Sequence, residues 1–346
     1  MVRWYQDKSV GSMKCIEIVG GGLSGLSLGI FLRRLGVGVR IVEAAAYPRH
    51  KVCGEFVCGV SPEVMQEMGI APVFDRALCH RNMSWWIGND LVMSEGLPQT
   101  AYGLSRFFMD RQLAKMFVEA GGELVQGQRM ELDDAPGRVW AIGKRKRRGK
   151  WIGLKVHVLG VAMDGLEMHV GKRGYLGVCG VEESRANCCG LFQIDKGVDR
   201  KNLLASYLEL NGMDDLLERF RGWREDKASL CATAGFSMGA QQRPGRFCVG
   251  DSNFLIPPFT GNGMSMAIES AWIAGPWLAK YAKGELDWIQ ASQRYDACCA
   301  THFKKRTSLA GGLHPLLLSR FGRHLVKWSA KAGVLPFESL FTHLRT

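Results

Sequence analysis

Three features of the sequence predict an α/β fold: a nucleotide-binding unit interrupted by an antiparallel sheet and followed by helices. An apolar strand near the start runs into "VGGGLSG" (Val19–Gly25), then into a helical pattern and a second strand. A series of short strands separated by turn residues occupies 151–194. A second strand–glycine turn–helix pattern follows at "RFCVGDSNFLIPPFTGNGMSMAIESAW" (Arg246–Trp272). At 346 residues the chain is long for one compact core, so one elaborate domain or two interlocked ones are expected. The expected partition is discontinuous: 13–60, 103–150 and 231–300 form the nucleotide-binding domain, and 61–102 with 151–230 the inserted substrate domain. Residues 301–346 form a C-terminal helical segment.

The first unit is read residue by residue. "KCIEIV" (Lys14–Val19) is the strand, and Leu23, Leu26, Ile30, Phe31 and Leu35 recur at helical spacing, with Gly36 placed to cap the end. "VRIVE" (Val39–Glu43) is the second strand. Glycines 20, 22 and 25 fit G-x-G-x-x-G in the strand–turn–helix context that gives the motif weight. Gly20 permits the tight turn, Gly22 lets backbone approach a pyrophosphate, and Gly25 allows close helix–strand packing. Helix-terminal N–H groups and the helix dipole supply the positive end for phosphate. Glu43 closes the second strand, where an acid accepts hydrogen bonds from a ribose hydroxyl. Glu17 is out of character for a strand buried on both faces.

In the middle, "WIGLKVHV", "LEMHV", "GYLGVCG" and "NCCGLFQI" read as strands of an antiparallel sheet, a floor for substrate. His157 and His169 alternate there with apolar neighbours, a pattern that suits structural histidines better than catalytic ones. Residues 199–210 and 213–223 read as helices packed on that sheet. Toward the end, "ASQRYDACCATHFKKR" (291–306) and "HPLLLSRFGRHLVKWSAKAG" (314–333) read as helices. The second mixes Leu316, Leu317, Phe321 and Leu325 with Arg320, Arg323, His324 and Lys327. It suits packing on the nucleotide-binding domain, a membrane surface, or a cap over a greasy tunnel.

The formal net charge is +12, densest in "KRKRRGK" (Lys144–Lys150). Such a run attracts polyanions, but no nucleic-acid module surrounds it, and it reads as an exposed loop; nucleic acid is not an expected partner. No apolar run approaches the ~18–20 residues of a membrane span, and no signal-peptide pattern opens the chain. Met13 reads as a candidate start, with 1–12 a leader outside the fold. The 11 cysteines form no C-x-x-C pair and show no zinc spacing with histidine, so no metal site is expected. Reduced thiols in a cytoplasmic protein, with peripheral membrane contact as a candidate, are the better fit. Nothing in the sequence fixes the oligomeric state.

Two dinucleotides remain in play after the first unit, NAD and FAD. The late stretch decides between them. Phe247–Val249 is a strand ending in Gly250-Asp251, where an aspartate can hold a ribityl or ribose hydroxyl; Gly261 and Gly263 let a helix N-terminus approach a flavin's pyrimidine edge and stabilise charge on the reduced ring. A nicotinamide enzyme needs no second site of this kind.

With "PRHKVCGEFVCGVSPE" (Pro48–Glu63) and "GLSRFFMDRQLAKMF" (Gly103–Phe117), the chain resembles the FAD-dependent group that includes geranylgeranyl reductases, aromatic-ring hydroxylases and flavin-dependent halogenases. "KVCGE" (Lys51–Glu55) places it nearest the geranylgeranyl-reductase-like branch. The resemblance covers about Lys14 to Lys283 and implies a Rossmann-like FAD-binding domain with an inserted antiparallel-sheet substrate domain. It implies that Gly20, Gly22, Leu23, Ser24, Gly25 and Glu43 meet the ADP half. Lys51, Cys53, Gly54 and Arg106 lie along the cofactor, and Gly250, Asp251, Pro258, Gly261, Asn262, Gly263 and Met264 meet the ribityl chain and ring. Cys53 and Glu55 are the candidate catalytic residues, although a small residue near the ring explains Cys53 as well.

Several family patterns are absent. "VWAIGKRKRRG" (Val139–Gly149) lacks the Asp-Gly pair that serves FAD and NAD(P)H in many relatives. Tyr175 is followed by "LGVCG" rather than the prenyl-reductase pattern. "SWWIG" (Ser84–Gly88) does not reproduce the halogenase Trp-x-Trp-x-Ile-Pro stretch, which sets halogenation aside. The resulting expectation is an FAD-dependent oxidoreductase acting on a hydrophobic isoprenoid-, polyketide- or lipid-like molecule. NAD(P)H is a transient donor, and C=C reduction and hydroxylation remain alternatives. The rival from another class is a basic membrane- or nucleic-acid-associated protein with a structural flavin.

Overall fold

The computed structural model describes residues 13–144, 149–235, 239–240, 246–257, 261–332 and 334. Residues 1–12, expected to be a leader, residues 145–148 of the basic run and Pro258 lie outside the described residues. In chain order the strands are β1 (Ile16–Val19), β2 (Val39–Glu43), β3 (Phe56–Val57), β4 (Leu78–Ile87), β5 (Asp90–Gly103), β6 (Glu123–Gln126), β7 (Arg138–Trp140), β8 (Trp151–Leu159), β9 (Leu166–Val170), β10 (Gly174–Val181), β11 (Arg185–Gln193), β12 (Arg224–Ala234), β13 (Gly239–Ala240), β14 (Phe247–Cys248) and β15 (Phe254–Leu255). The helices are α1 (Leu23–Arg34), α2 (Pro62–Met68), α3 (Arg106–Glu119), α4 (Leu203–Leu210), α5 (Asp214–Arg221), α6 (Gly263–Ala282), α7 (Trp288–Leu318) and α8 (Arg320–Lys331).

One sheet is parallel, in the order β14-β7-β1-β2-β6. Its central strands are apolar because helices cover them, and Ile16, Ile18 and Ile41 are fully buried, each contributing roughly 1.5–3 kcal/mol. Helices α1, α3, α6 and α7 supply Leu26, Phe31, Phe117, Ile268 and Phe303 to that core. The odd residue Glu17 is accommodated at a half-buried position. Arg138 on one neighbouring strand donates to it at 2.6 Å, and Arg40 on the other lies 3.7 Å away.

The second sheet has eight strands, β12-β8-β11-β10-β9-β4-β5-β3. It is antiparallel except where β4 runs parallel to β9, so the expectation of a purely antiparallel sheet is corrected to a mixed one. Side-chain alternation divides β8 cleanly. Leu154, Val156 and Val158 pack under α4 and α5 with Leu208, Leu217 and Phe220. Lys155 and His157 point to the opposite face, beside Cys189 and Asn187 in register.

Two boundaries differ from the sequence reading. Residues 61–102 divide between the halves: Met65, Met68, Ile70, Val73 and Phe74 join the core of the parallel sheet, while β4 and β5 belong to the mixed sheet. The helix expected over 314–333 breaks at Ser319, whose hydroxyl accepts from the Gly322 N–H at 2.9 Å and starts α8 afresh. That helix packs Val326 against Ile87, Met168 and Leu191 of the mixed sheet, not against the nucleotide-binding half.

Candidate FAD and active site

The glycine turn sorts its three glycines by what surrounds them. Gly20 has φ +107 and a side chain there would strike the Ala141 carbonyl; one at Gly25 would strike the Gly20 carbonyl. These two are small because the chain itself is close. At Gly22 the nearest atoms to such a side chain are Arg106 Nη2 and Lys51 Nζ, each 3.9 Å away. Gly22 therefore faces space bordered by two cations. It is also the N-cap of α1, with no side-chain cap bond and no acid in the first turn, so the helix start is left for an anion. The side chain of Leu23 is buried in the core, so at this turn only its backbone can serve a ligand.

Lys51 and Arg106 share one carboxylate. Asp110 accepts from Lys51 Nζ at 2.7 Å and from Arg106 Nε and Nη2 at 2.8 and 2.9 Å. Although burial opposes ionisation, the two cations hold the Asp110 carboxyl below its ordinary value. Two positive groups against one negative leave a net positive charge beside Gly22. Glu43 is buried at the end of β2, accepting from the Gly21 N–H at 2.7 Å, the Ala45 N–H at 3.0 Å and Arg49 at 3.0 Å. Tyr47 donates to the Gly21 carbonyl.

The late motif folds against the early one. Gly250, with φ +60, lies so close to α1 that a side chain there would meet Ser24 Oγ at 2.6 Å, and its N–H donates to Ser270 Oγ at 2.9 Å. Burial pushes the Asp251 carboxyl up to about 6, against the pull of Arg106 and Lys144. Asp251 and Gly263 border one small cavity, and a side chain at Gly263 would meet nothing within 4 Å. Asn262 is the N-cap of α6, with no side-chain cap bond, and Gly261 has φ +66. Met264 is buried on the first turn.

Between these motifs and the mixed sheet lies the 51–55 loop. Burial raises the Cys53 thiol, so it stays protonated near neutrality and a nucleophilic role is disfavoured. A side chain at Gly54 would meet nothing within 4 Å. Glu55 is fully buried with φ 55, an uncommon conformation for a non-glycine residue, and several contacts hold it there. It accepts from the Arg106 N–H at 2.9 Å, meets His157 Nε2 at 2.6 Å, and has Lys155 Nζ at 3.4 Å. Lys155 in turn donates to His50 Nδ1 at 3.1 Å. The half-exposed His50 ring stacks on Phe107 and is lowered to about 4 by burial and by Lys155. Asn187 donates to the Cys53 and Gly54 carbonyls at 3.0 and 2.8 Å.

The sequence points to Glu55 and His157, and to Asp110 after Arg106, without joining the first two, and it does not by itself name Lys155, His50 or Asn187 as their partners. One signal was present: a lysine and a histidine two residues apart put two ionisable groups on one face of an otherwise apolar strand. His169 points to the other face, where it meets Glu167 at 3.1 Å and stacks on Trp86. Among the described residues no group of three or more His, Cys, Asp or Glu is arranged to hold a metal.

Residues 13–150 match the family model described as an FAD binding domain. That segment carries an FAD-binding domain, and the chain is similar to FAD-dependent oxidoreductases. FAD fits the residues present: an open glycine and a free helix start beside surplus positive charge, a buried acid at the ribose strand, and a second motif packed against the first.

Curated relatives include conditioned medium factor receptor 1 of Dictyostelium discoideum, 24% identical over 93% of this chain and 77% of its own. Menaquinone reductase of Mycolicibacterium smegmatis is 22% identical over 88% and 85%. Among solved structures, the flavin-dependent brominase Bmp2 superposes with TM-score 0.77 at 16% identity, covering 96% of this chain and 94% of its own. A geranylgeranyl bacteriochlorophyll reductase-like protein of Thermoplasma acidophilum gives 0.73 at 17%, covering 96% of each. The probable FAD-dependent monooxygenase PqsL of Pseudomonas aeruginosa gives 0.69 at 16%, covering 91% and 99%. At these identities the structural likenesses establish the fold.

Proposed function

We propose that this oxidoreductase reduces a C=C bond of a hydrophobic small molecule with electrons from NAD(P)H. The observation that carries this reading is the Glu55–His157 pair, fully buried between the 51–55 loop and the sheet floor and linked through Lys155 to half-exposed His50. Saturating a C=C bond takes two electrons and two hydrogens, one delivered as hydride and one as a proton from a group kept from bulk water. FAD held at this site would supply the hydride chemistry, with NAD(P)H as the source of electrons. Glu55 and His157 hold a proton at the Oε2–Nε2 contact, and Lys155 and His50 connect it to solvent for replenishment. Lys51, Arg106 and the α1 start hold the diphosphate, Glu43 the ribose, and Asp251 the ribityl chain. An isoprenoid-, polyketide- or lipid-like substrate is the class that the family resemblance implies. No second dinucleotide fingerprint is present, which suits a transient donor. Menaquinone reductase among the relatives supports a reductase.

Hydroxylation with NAD(P)H and O₂ is the second reading, and the breadth of the match to PqsL, nine-tenths of the chain, supports it. The test uses purified, FAD-loaded protein bleached with NADPH under anaerobic conditions. Colour recovery on adding polyprenyl or quinone alkenes, with a product two hydrogens heavier, is expected for the reductase. Recovery only on adding air, with a product one oxygen heavier, would overturn it in favour of hydroxylation. No turnover in either arm, with polyanion- or vesicle-binding instead, would leave a structural flavin.

A further inference from the structure

Helix α8 carries three chemically distinct faces. Gly322 and Val326 are turned into the protein, and Val326 packs into the apolar cluster of the sheet floor. Phe321, Leu325 and Trp328, at i, i+4 and i+7, form one solvent-facing stripe with exposures of 74%, 41% and 65%. Arg320, His324, Lys327 and Lys331 fall on the flank beside that stripe, and the helix contains no Asp or Glu. Singly exposed apolar residues need no explanation, but an ordered stripe of large ones on a single helix face does.

The basic flank opens on a cleft of about 450 Å³ lined by Ile87, Lys172, Arg320, Arg323, His324 and Lys327. Asp90 pairs with Lys327 at its rim. Arg323 donates to the Leu318 and Lys172 carbonyls at 2.8 and 3.3 Å. Its guanidinium is pushed below its ordinary value by burial and by neighbouring Arg320, a crowding of cations that an anion would relieve.

We infer that α8 docks this protein on an anionic phospholipid surface, with Phe321, Leu325 and Trp328 in the acyl boundary and the basic cleft holding phosphate headgroups. An apolar stripe bordered by cations is the arrangement of a helix lying in a membrane interface. A second copy is the poorer occupant, because a two-fold contact between these faces would set the basic flank of one copy against that of the other, Arg320 opposite Lys331. Among the described residues no helix is long and apolar enough to cross a membrane, so the contact is peripheral.

The test is co-sedimentation of the FAD-loaded full chain with phosphatidylcholine vesicles and with vesicles containing phosphatidylglycerol. Binding to the anionic vesicles, weakened by salt, is expected. Charge reversal by Arg320→Glu and by Lys331→Glu should lower affinity roughly fivefold or more each. A Phe321→Ser/Trp328→Ser variant should lose binding while keeping its flavin absorbance. Equal binding to neutral vesicles, or unchanged binding by the double variant, would overturn the inference. So would light scattering that shows a dimer which this variant dissociates.

Discussion

Gly22 differs from its two partner glycines in a way that can be measured. Gly20 and Gly25 are hemmed in by backbone, so a β-carbon at either forces the turn apart. At Gly22 the chain leaves room, and what excludes a side chain is the ligand. Gly22→Val is expected to abolish FAD retention while far-ultraviolet circular dichroism stays native, whereas Gly25→Val should unfold the turn. Full flavin occupancy in Gly22→Val would rule out a pyrophosphate at this elbow. Asp251 makes a pH prediction. Burial holds its carboxyl up at about 6, so it is ionised and accepts hydroxyl hydrogen bonds at pH 7, and it protonates as pH falls through 6. FAD dissociation, followed by fluorescence, should accelerate across that interval. In Asp251→Asn the pH dependence should flatten. The glycine and the aspartate were legible because each sits in a local motif. Glu55 with His157 was not, because 102 residues separate partners that only the packing of the loop on the sheet brings together.

Most strands legible in the sequence carry four or more alternating or uniformly apolar residues, as β2 and β8 to β11 do, while the short β14 is legible from the glycine motif that follows it. The sequence does not show β4, β5 and β12, long strands whose exposed and half-buried positions mix polar with apolar residues and break any alternation. Nor does it show β6 and β7, whose "ELVQ" and "RVW" are too short to show a period and are strands because β2 and β1 pair with them. The same limit applies at Ser319, where apolar spacing continues across the break and only the cap geometry ends one helix and begins the next. A different element-level feature joins α6 to α7. Arg306 donates to both Glu269 oxygens, one bond of 3.1 Å and one shorter, and both side chains are buried. Removing one partner strands the other charge in the core. Arg306→Ala should therefore lower urea-unfolding stability by about 3–5 kcal/mol. Replacing the pair with Met and Leu of similar volume should restore most of that loss. A small effect of Arg306→Ala would mean that water already reaches the pair.

For the whole molecule, the 51–55 loop is the place where the two halves are tied. From one side Lys51 reaches Asp110 in the nucleotide-binding half; from the other, Asn187, His157 and Lys155 of the mixed sheet hold Cys53, Gly54 and Glu55. A second tie joins Glu182, beyond β10, to the Ser105 N–H at 2.8 Å. These ties are polar and span long stretches of chain, which is why each half was readable from its own pattern but their docking was not. Because FAD binds only the folded site, saturation near a hundredfold above Kd should add about 2.7 kcal/mol to stability. The distribution of that gain is the sharper expectation. Were the halves independent, FAD would protect only α1, α3 and the parallel sheet. With the loop clamped to β8 and β11, opening that end of the floor means releasing Lys51 and the 51–55 backbone from the cofactor's side, so FAD must resist it too. Amide hydrogen exchange should therefore slow in β8 and β11 when FAD is added, and this remote protection should disappear in Asn187→Ala while protection of α1 persists. Protection confined to the nucleotide-binding half in the native protein would show that the loop is a passive cover and that floor and cofactor site open separately.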